Sequence, residues 1–119
     1  MMNKNEIFAF MNSYPQPSVL TTTSGIMVYA NSSYKSQFYC GVSNEEYSVI
    51  DNIIGMTNDP LIKANALYCK HLESVFLVNR QTCIKRELFF YKKYITLRTI
   101  IFLNEVEYIL LLIVEEIKE

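Results

Sequence analysis

The sequence contains few of the residues that break a chain or cross-link it. Its 119 residues include only three glycines, three prolines and three cysteines, and no tryptophan. Cys40, Cys69 and Cys83 are an odd number without C-x-x-C spacing, which argues against a disulfide-stapled scaffold and a cysteine-based zinc site. Charge is sparse and balanced, with a net charge of −1, while half of the residues are hydrophobic. This composition excludes an intrinsically disordered chain.

Long hydrophobic segments are missing as well. The longest uninterrupted apolar run, Tyr108–Val114, is far shorter than the ~20 residues that cross a bilayer as a helix. Residues Met1 to Glu6 are polar, so we expect no signal peptide. The length suits one domain that buries roughly two thirds of its unfolded surface. We therefore expect a cytoplasmic globular domain that makes no contact with a membrane.

Motifs that carry chemistry are scarce. The sequence has no glycine-rich phosphate loop, no metalloprotease helix and no nucleophile elbow. Cys69 and His71 lie two residues apart on a predicted helix and face different sides, so they cannot form a nucleophile–base pair. We expect no catalytic residue and no metal site, and hence no enzyme.

The first two thirds of the chain has the periodicity of helices interrupted by one hairpin. In the longest predicted helix one stripe collects Ala64, Leu67, Tyr68, His71, Val75 and Val78, and we expect it to face the core. The first predicted elements are a helix over Lys4–Ser13 and two strands, Ser18–Thr22 and Ile26–Ala30, joined by a turn at Gly25. Asn31 is expected to cap a second helix through Tyr34–Tyr39, and Ser43 forms a capping box for a third helix that begins at Asn44. A loop is expected at Gly55, followed by the longest helix, from Leu61 or Ala64 to Asn79.

The last third predicts an antiparallel meander of three strands. These cover about Ile84–Phe90, Ile95–Leu103 and Val106–Val114, with turns at residues 91–93 and 104–105. The last two strands carry apolar residues on both faces, so both faces of the sheet should be covered. The central helices can cover only one face. The other needs the N-terminal helix, a second chain, or both.

Three local segments in this order resemble the signatures of PAS domains. Gly25–Asn31 resembles the family's glycine turn, second strand and A-N helix start, Gly41–Tyr47 resembles its G-[YF]-S-x-E-E-L segment, and Ile54-Gly55 its following I-G. The resemblance implies an α+β fold in which a five-stranded antiparallel sheet has helices on one face and an N-terminal helix on or near the other. It divides the chain into a capping and dimerisation helix with its lead-in, residues 1–17, and a PAS-like domain, residues 18–117.

Within this superfamily, the N-terminal region is similar to TraJ-type activators of conjugative plasmid transfer genes. The similar features are a helix that ends in Tyr14–Pro17, then a strand, a glycine turn and a strand that enters an Asn-capped helix. This implies a homodimeric regulatory module of a transcriptional activator, which binds DNA through a C-terminal helix-turn-helix outside this chain. The alternative is a ligand- or haem-binding sensory PAS domain of another bacterial regulator or kinase.

For the dimer, the candidate residues lie on the N-terminal helix and on one face of the last strand. The better candidate for the outer face of that strand is the one shared with Glu107 and Glu115. An obligate interface is apolar like a core, and these residues would supply such a surface. The expected interface residues are Ile7, Phe8, Phe10, Met11, Ile109, Leu111 and Ile113.

For the sensory alternative, the candidate pocket is formed by Tyr68, His71 and Leu72. Haem-binding PAS sensors resemble this chain in placing a histidine on the long central helix, so His71 is the candidate axial ligand. We favour a structural histidine and expect no cofactor. A flavin adduct is excluded because Gly55–Leu61 lacks the cysteine of the light-sensing subgroup. The basic residues between Arg80 and Arg98 are interleaved with aromatics, but basic side chains at sheet edges commonly protect against aggregation, so we expect no direct nucleic-acid binding.

Overall fold

A computed structural model describes residues 3–38 and 48–118 of the chain. The predicted helix start at Asn44 and its capping box at Ser43 lie outside these residues. The described elements are α1 (Lys4–Ser13), β1 (Ser18–Thr22), β2 (Met27–Ala30), α2 (Ser32–Phe38), α3 (Val49–Met56), α4 (Pro60–Asn79), β3 (Cys83–Phe89), β4 (Lys92–Leu103) and β5 (Val106–Ile117).

The five strands form one antiparallel sheet in the order β2-β1-β5-β4-β3. The hairpin of β4 and β5 turns at Asn104 and Glu105, the position predicted from the sequence. Both residues have positive φ angles, 52° and 66°, which is the backbone of a two-residue turn whose twist matches that of the flanking strands. The turn between β3 and β4 uses Phe90 and Tyr91, with φ angles of 49° and 68°. It therefore begins one residue before the predicted turn, and β4 already starts at Lys92.

Local side-chain chemistry explains where the long helix begins and ends. The Asp59 side chain accepts a hydrogen bond from the Leu61 amide at 2.9 Å, and Pro60 occupies the first helical turn, where its missing N–H costs nothing. The helix ends at Arg80, whose left-handed backbone (φ 57°) lets its amide donate to the Phe76 carbonyl. Gly55, a predicted loop position, instead lies inside α3, so this prediction was wrong.

Helices cover the sheet from both sides, as predicted. On the side that we call the helix side, the core contains Val19, Ala30, Tyr34, Phe38, Tyr94 and Ile113. On the other, which we call the outer side, α1 packs Ile7 and Met11 against Leu20, Leu103 and Leu110. The α+β fold and the placement of the N-terminal helix are therefore confirmed.

The side chain of Asn31 connects α1 to the sheet and to α2 through hydrogen bonds. Its Oδ1 accepts from the amides of Ser18 and Tyr34 at 3.0 and 2.9 Å, so it caps α2. Its Nδ2 donates to the carbonyls of Met11, Tyr14 and Gln16 at 3.0, 3.2 and 2.8 Å. The chain leaving α1 thus has its carbonyl groups satisfied by one buried side chain.

The prediction that Ile109, Leu111 and Ile113 form the outer face of β5 was wrong. Register pairs Val19 of β1 with Leu111, and Val19 belongs to the core on the helix side. Ile109, Leu111 and Ile113 therefore face the helices, where Ile109 and Ile113 are buried within the monomer. Leu110 and Leu112 alternate with them and face the outer side.

The predicted core-facing stripe of α4 was also wrong. Ala64, Leu67, Tyr68, His71, Val75 and Val78 do share one face of the helix, but that face is turned to solvent. The buried residues of α4 are Asn65, Ala66, Cys69 and Phe76. Periodicity located the stripe correctly and could not tell which side of the helix meets the sheet.

Candidate functional site

A cavity of about 60 Å³ lies between the helix side of the sheet and the helices α2, α3 and α4. Most of its wall is apolar and includes Val19, Phe38, Val49, Ile53, Phe89 and Ile109. A cavity that holds benzene in a protein core is about 150 Å³. The cavity described here therefore suits a few waters or a very small molecule.

One wall of the cavity is charged, because Arg98 and Glu73 line it, and Glu87 lies behind them as the partner of Arg98. Arg98 and Glu87 are each 2% exposed, and the guanidinium faces the carboxylate in a bidentate pair with Nη1–Oε2 and Nη2–Oε1 distances of 2.5 and 2.8 Å. The Thr96 hydroxyl also donates to Oε2 of Glu87. The pair thus satisfies both carboxylate oxygens and two of the three guanidinium nitrogens.

The third guanidinium nitrogen is exceptional. Nε of Arg98 has no hydrogen-bond partner among the described residues. It forms a long ion pair with Oε2 of Glu73, and the two atoms are 3.9 Å apart. Burial raises the pKa of Glu73, although the charge of Arg98 acts to lower it, and the charge of Glu87 raises it further. Two carboxylates therefore share one guanidinium, and Glu73 holds its proton more tightly than an exposed glutamate.

Burial would lower the pKa of Arg98, but the hydrogen bonds and charge of Glu87, with the charge of Glu73, outweigh this effect and raise the pKa of the guanidinium.

Cys69 lies beside this cluster and is 1% exposed, and its thiol donates a weak hydrogen bond to the Leu88 carbonyl at 3.9 Å. Burial, followed by the charge of Glu87, raises the pKa of the thiol far above its usual range. Burial therefore favours the protonated thiol over the thiolate at neutral pH.

The predicted pocket residues do not come together at this cavity. Tyr68 and His71 are exposed on the outward face of α4, and Leu72 is half-buried without lining the cavity. The premise that His71 faces an apolar cavity was therefore wrong. A haem group held by His71 does not fit these residues, because the histidine is turned away and the cavity is smaller than one that holds benzene.

The predicted interface residues of α1 divide into two sets. Ile7 and Met11 are 2% and 0% exposed and belong to the core on the outer side. Phe8 is half-buried and stacks on Tyr29, with ring centroids 4.1 Å apart. Phe10 is 43% exposed, so of the predicted helix residues it offers the most surface to a partner.

Next to α1, the outer side of the sheet carries an apolar row that α1 covers only at one end. Register places Ile84 beside Leu97 and Leu97 beside Leu112, and Leu112 packs at the edge of the core under α1. Ile84 is 63% exposed, and the two leucines are half-buried. We call these three residues the outer row.

Sequence reasoning missed the charged cluster. Arg98 is the only charge in a predicted strand that is largely apolar, which is a signal for a buried ion pair, whereas Glu87 directly follows Lys85 and Arg86 and carries no such signal. Pairing the two residues required the strand register, which places Arg98 opposite Cys83 and Glu87 opposite Tyr94. Glu73 carried no comparable signal, because a glutamate on a helix is ordinarily exposed.

Comparisons with known proteins place the fold. No protein-family model matches the chain, and no curated protein matches its sequence. Among solved structures, the PAS domain of an HTR-like protein from Haloarcula marismortui matches with a TM-score of 0.60 and 13% sequence identity. The match covers 95% of this chain and 90% of the other. The chain therefore has the fold of a PAS domain.

Within residues 3–38 and 48–118, no three His, Cys, Asp or Glu side chains gather in a way that could hold a metal ion. In the same part of the chain, no helix has both the length and the hydropathy needed to cross a membrane.

Proposed function

We propose that this chain is the cytoplasmic, non-enzymatic dimerisation module of a TraJ-type transcriptional activator of plasmid conjugal transfer genes. The observation that carries the proposal is the outer row, an apolar strip beside α1 that ends in the exposed side chain of Ile84. The similarity of Tyr14–Pro17 and of the following hairpin to these activators supports the transcriptional role. DNA is bound by a helix-turn-helix domain outside this chain.

The outer row is suited to a symmetric dimer. Exposed apolar surface gains roughly 25 cal/mol for each Å² that a partner removes from water. In a two-fold interface both copies present the same surface, so the outer row of one copy can pack on the outer row of the other.

A two-fold dimer also gives the geometry that this kind of regulator needs. Operators that bind helix-turn-helix dimers are palindromic, because the symmetry of the protein is repeated in the DNA. A PAS-like module that dimerises through α1 and the outer row would hold two attached DNA-binding domains in this relation. Asn31 fixes α1 to the sheet, so the interface formed by α1 and the outer row is rigid in each copy.

The oligomeric state of designed variants tests the interface. Ile84→Glu and Phe10→Glu place a charge in the proposed interface at exposed positions, so the fold tolerates them; Met11→Glu would not serve, since Met11 is fully buried. Leu67→Glu on α4 is the matched control, because Leu67 is 55% exposed and lies on the other side of the molecule. Circular dichroism verifies that each variant is folded.

Light scattering should give a dimer for the unmodified chain and for Leu67→Glu, and monomers for Ile84→Glu and Phe10→Glu. Dimers for all four proteins would overturn the proposed interface. Fusion to a DNA-binding domain that represses only as a dimer provides a second readout. The unmodified fusion should repress a palindromic reporter, and the Ile84→Glu fusion should lose repression at equal protein level.

A second candidate function is a sensor of a very small polar molecule. It is favoured by one observation, the buried Nε of Arg98 that has no partner among the described residues and lies at the cavity wall. A native mass spectrum that shows a mass excess over the bare polypeptide, lost in Arg98→Met, would favour this function. A species of twice the polypeptide mass with no mass excess favours the dimerisation module.

A further inference from the structure

The outward face of α4 carries an exposed strip of five apolar residues and one histidine. It consists of Ala64, Leu67, Tyr68, His71, Val75 and Val78, which follow one another along one side of the helix, and we call it the α4 stripe. Leu67, Tyr68 and Val78 are 55%, 52% and 81% exposed. Single exposed apolar residues are normal on protein surfaces, but a strip of this kind marks an interaction site.

The opposite side of α4 makes the strip more unusual. Asn65 is buried there, and Glu73 is largely buried beside Arg98. A helix that served only its own domain would place its valines inward and its glutamate outward. Here Val75 and Val78 face solvent while Glu73 faces the core, so the arrangement favours a partner on the outward face.

The size of the strip indicates what kind of partner it fits. Fourteen helical steps from Ala64 to Val78 span about 21 Å, and a helix is about 10 Å wide. The strip therefore offers on the order of 200 Å² of footprint, against ~800 Å² for each partner in a standard stable interface. This area suits a single docked helix rather than a second globular copy of the chain.

The surrounding charge indicates the chemistry of that helix. Lys63 on α4 and Lys85 and Arg86 on β3 are exposed and form no ion pair with residues in the described ranges. Lys70 lies on the same flank and is paired with Asp51 at 2.8 Å. The single acidic residue of α4, Glu73, is turned inward. Much of the exposed acidic charge lies on other elements, at Glu6, Glu105 and Glu115.

A shallow groove joins the strip to the basic strand. It lies between Tyr68 of α4 and Arg86 and Leu88 of β3, and its volume is about 280 Å³. A helix lying on the α4 stripe would therefore have basic side chains along its flanks. Apolar residues would meet it in the middle and cations at the rim, which is the arrangement of a specific interface.

We propose that the α4 stripe docks one amphipathic helix of a partner protein, whose apolar ridge at i, i+3, i+4 and i+7 is flanked by aspartate and glutamate. The apolar ridge supplies the affinity by packing on Leu67, Tyr68 and Val78. Lys63, Lys85 and Arg86 select the acidic flanks and orient the helix. The α4 stripe shares no residue with the outer row, so this proposal does not depend on the dimer interface proposed above.

Two synthetic peptides test the proposal. Both are 18-residue helices with the same leucine ridge, and one carries glutamate and the other lysine at the flanking positions. Each is titrated into the ¹⁵N-labelled full chain while amide shifts are recorded. The glutamate peptide should shift amides of α4 and β3 and bind at least tenfold more tightly than the lysine peptide, with the preference falling in high salt.

Variants then locate the contact. Leu67→Gln and Val78→Asn remove apolar surface without adding charge and should weaken the glutamate peptide severalfold or more. Ile84→Gln in the outer row is the matched control and should leave binding unchanged. Equal affinity for the two peptides, no shifts with either, or shifts confined to the outer side of the sheet would overturn the proposal. Light scattering on the same samples reports the dimer separately.

Discussion

The guanidinium of Arg98 is held by both carboxylate oxygens of Glu87 in the middle of the helix side of the sheet. The two residues come from neighbouring strands, β4 and β3, and both are nearly inaccessible to water. Taking two charges out of water is costly, and only a well-formed pair offsets that cost. The pair therefore fixes the register of β3 against β4 more strictly than apolar packing alone would.

Removing one member of this pair should be far more damaging than removing both. Arg98→Met leaves the Glu87 carboxylate buried without its cation, so we expect the free energy of unfolding to fall by about 3–5 kcal/mol. Urea denaturation followed by circular dichroism measures the change. The double variant Arg98→Met with Glu87→Leu should recover much of the loss. Additive losses in the double variant would show that the pair is not coupled.

Glu73 should make stability depend on pH. Its pKa is raised in the folded state, mainly by burial, so between its ordinary value of about 4.5 and the raised value the folded chain binds more protons than the unfolded chain. Stability therefore falls as pH rises through this window, with a slope of at most about 1.4 kcal/mol for each pH unit. Glu73→Gln should remove that dependence and be the more stable protein at neutral pH.

The matched control for this experiment is Glu105→Gln in the exposed turn between β4 and β5. Its pH profile should follow that of the unmodified chain. Thermal melts between pH 4 and pH 8 give the comparison. A Glu73→Gln profile parallel to that of the unmodified chain would contradict the account of the buried cluster.

Substitutions of Asn31 can separate its two roles, which are to cap α2 through Oδ1 and to hold the end of α1 through Nδ2. Asn31→Asp keeps oxygens that accept from the Ser18 and Tyr34 amides but loses the donors to the carbonyls at the end of α1. We expect hydrogen exchange to accelerate in α1 while α2 stays protected. Asn31→Ala removes both functions and should cost about 3 kcal/mol, since it leaves several buried groups unpaired. Equal exchange in the two helices of Asn31→Asp would contradict this assignment.

Two glycines should respond to alanine in opposite ways. Gly25 has φ +86°, and a Cβ there would lie 2.8 Å from Cβ of Ser48, so Gly25→Ala should destabilise the chain by about 1–2 kcal/mol. Gly55 lies in α3 with no neighbour near the position of a Cβ, so Gly55→Ala should stabilise it by about 0.5–1 kcal/mol. Paired thermal melts test both signs. The same sign for both would contradict the backbone assignment.

The sequence predicts most elements because their signals are local. The bounds of α1 and β1 and the turn at Asn104 and Glu105 follow from capping, proline and strand patterns, and the structure confirms them. Gly55 was predicted as a loop because glycine is a poor helix former, yet it lies in α3 between residues with strong helical amphipathicity. Intrinsic propensity is a weak signal where the neighbouring residues favour the helix.

The choice of face is what the sequence could not provide. β5 has leucine and isoleucine on both sides, so alternation alone does not tell whether Ile109 or Leu110 meets the helices. On α4 the apolar stripe was identified, but the inward side is set by Glu73 and Cys69 packing near Arg98 and Glu87, which come from distant parts of the chain. The candidate cavity and its charged wall were missed for the same reason.

The native mass of the unmodified chain tests the central claim most directly, because a dimerisation module must pair without any attached domain. The account predicts a species of twice the polypeptide mass, with no added mass, at micromolar concentration and near-neutral pH. A species of one polypeptide mass at every concentration would contradict it, because the outer row would then remain uncovered in solution.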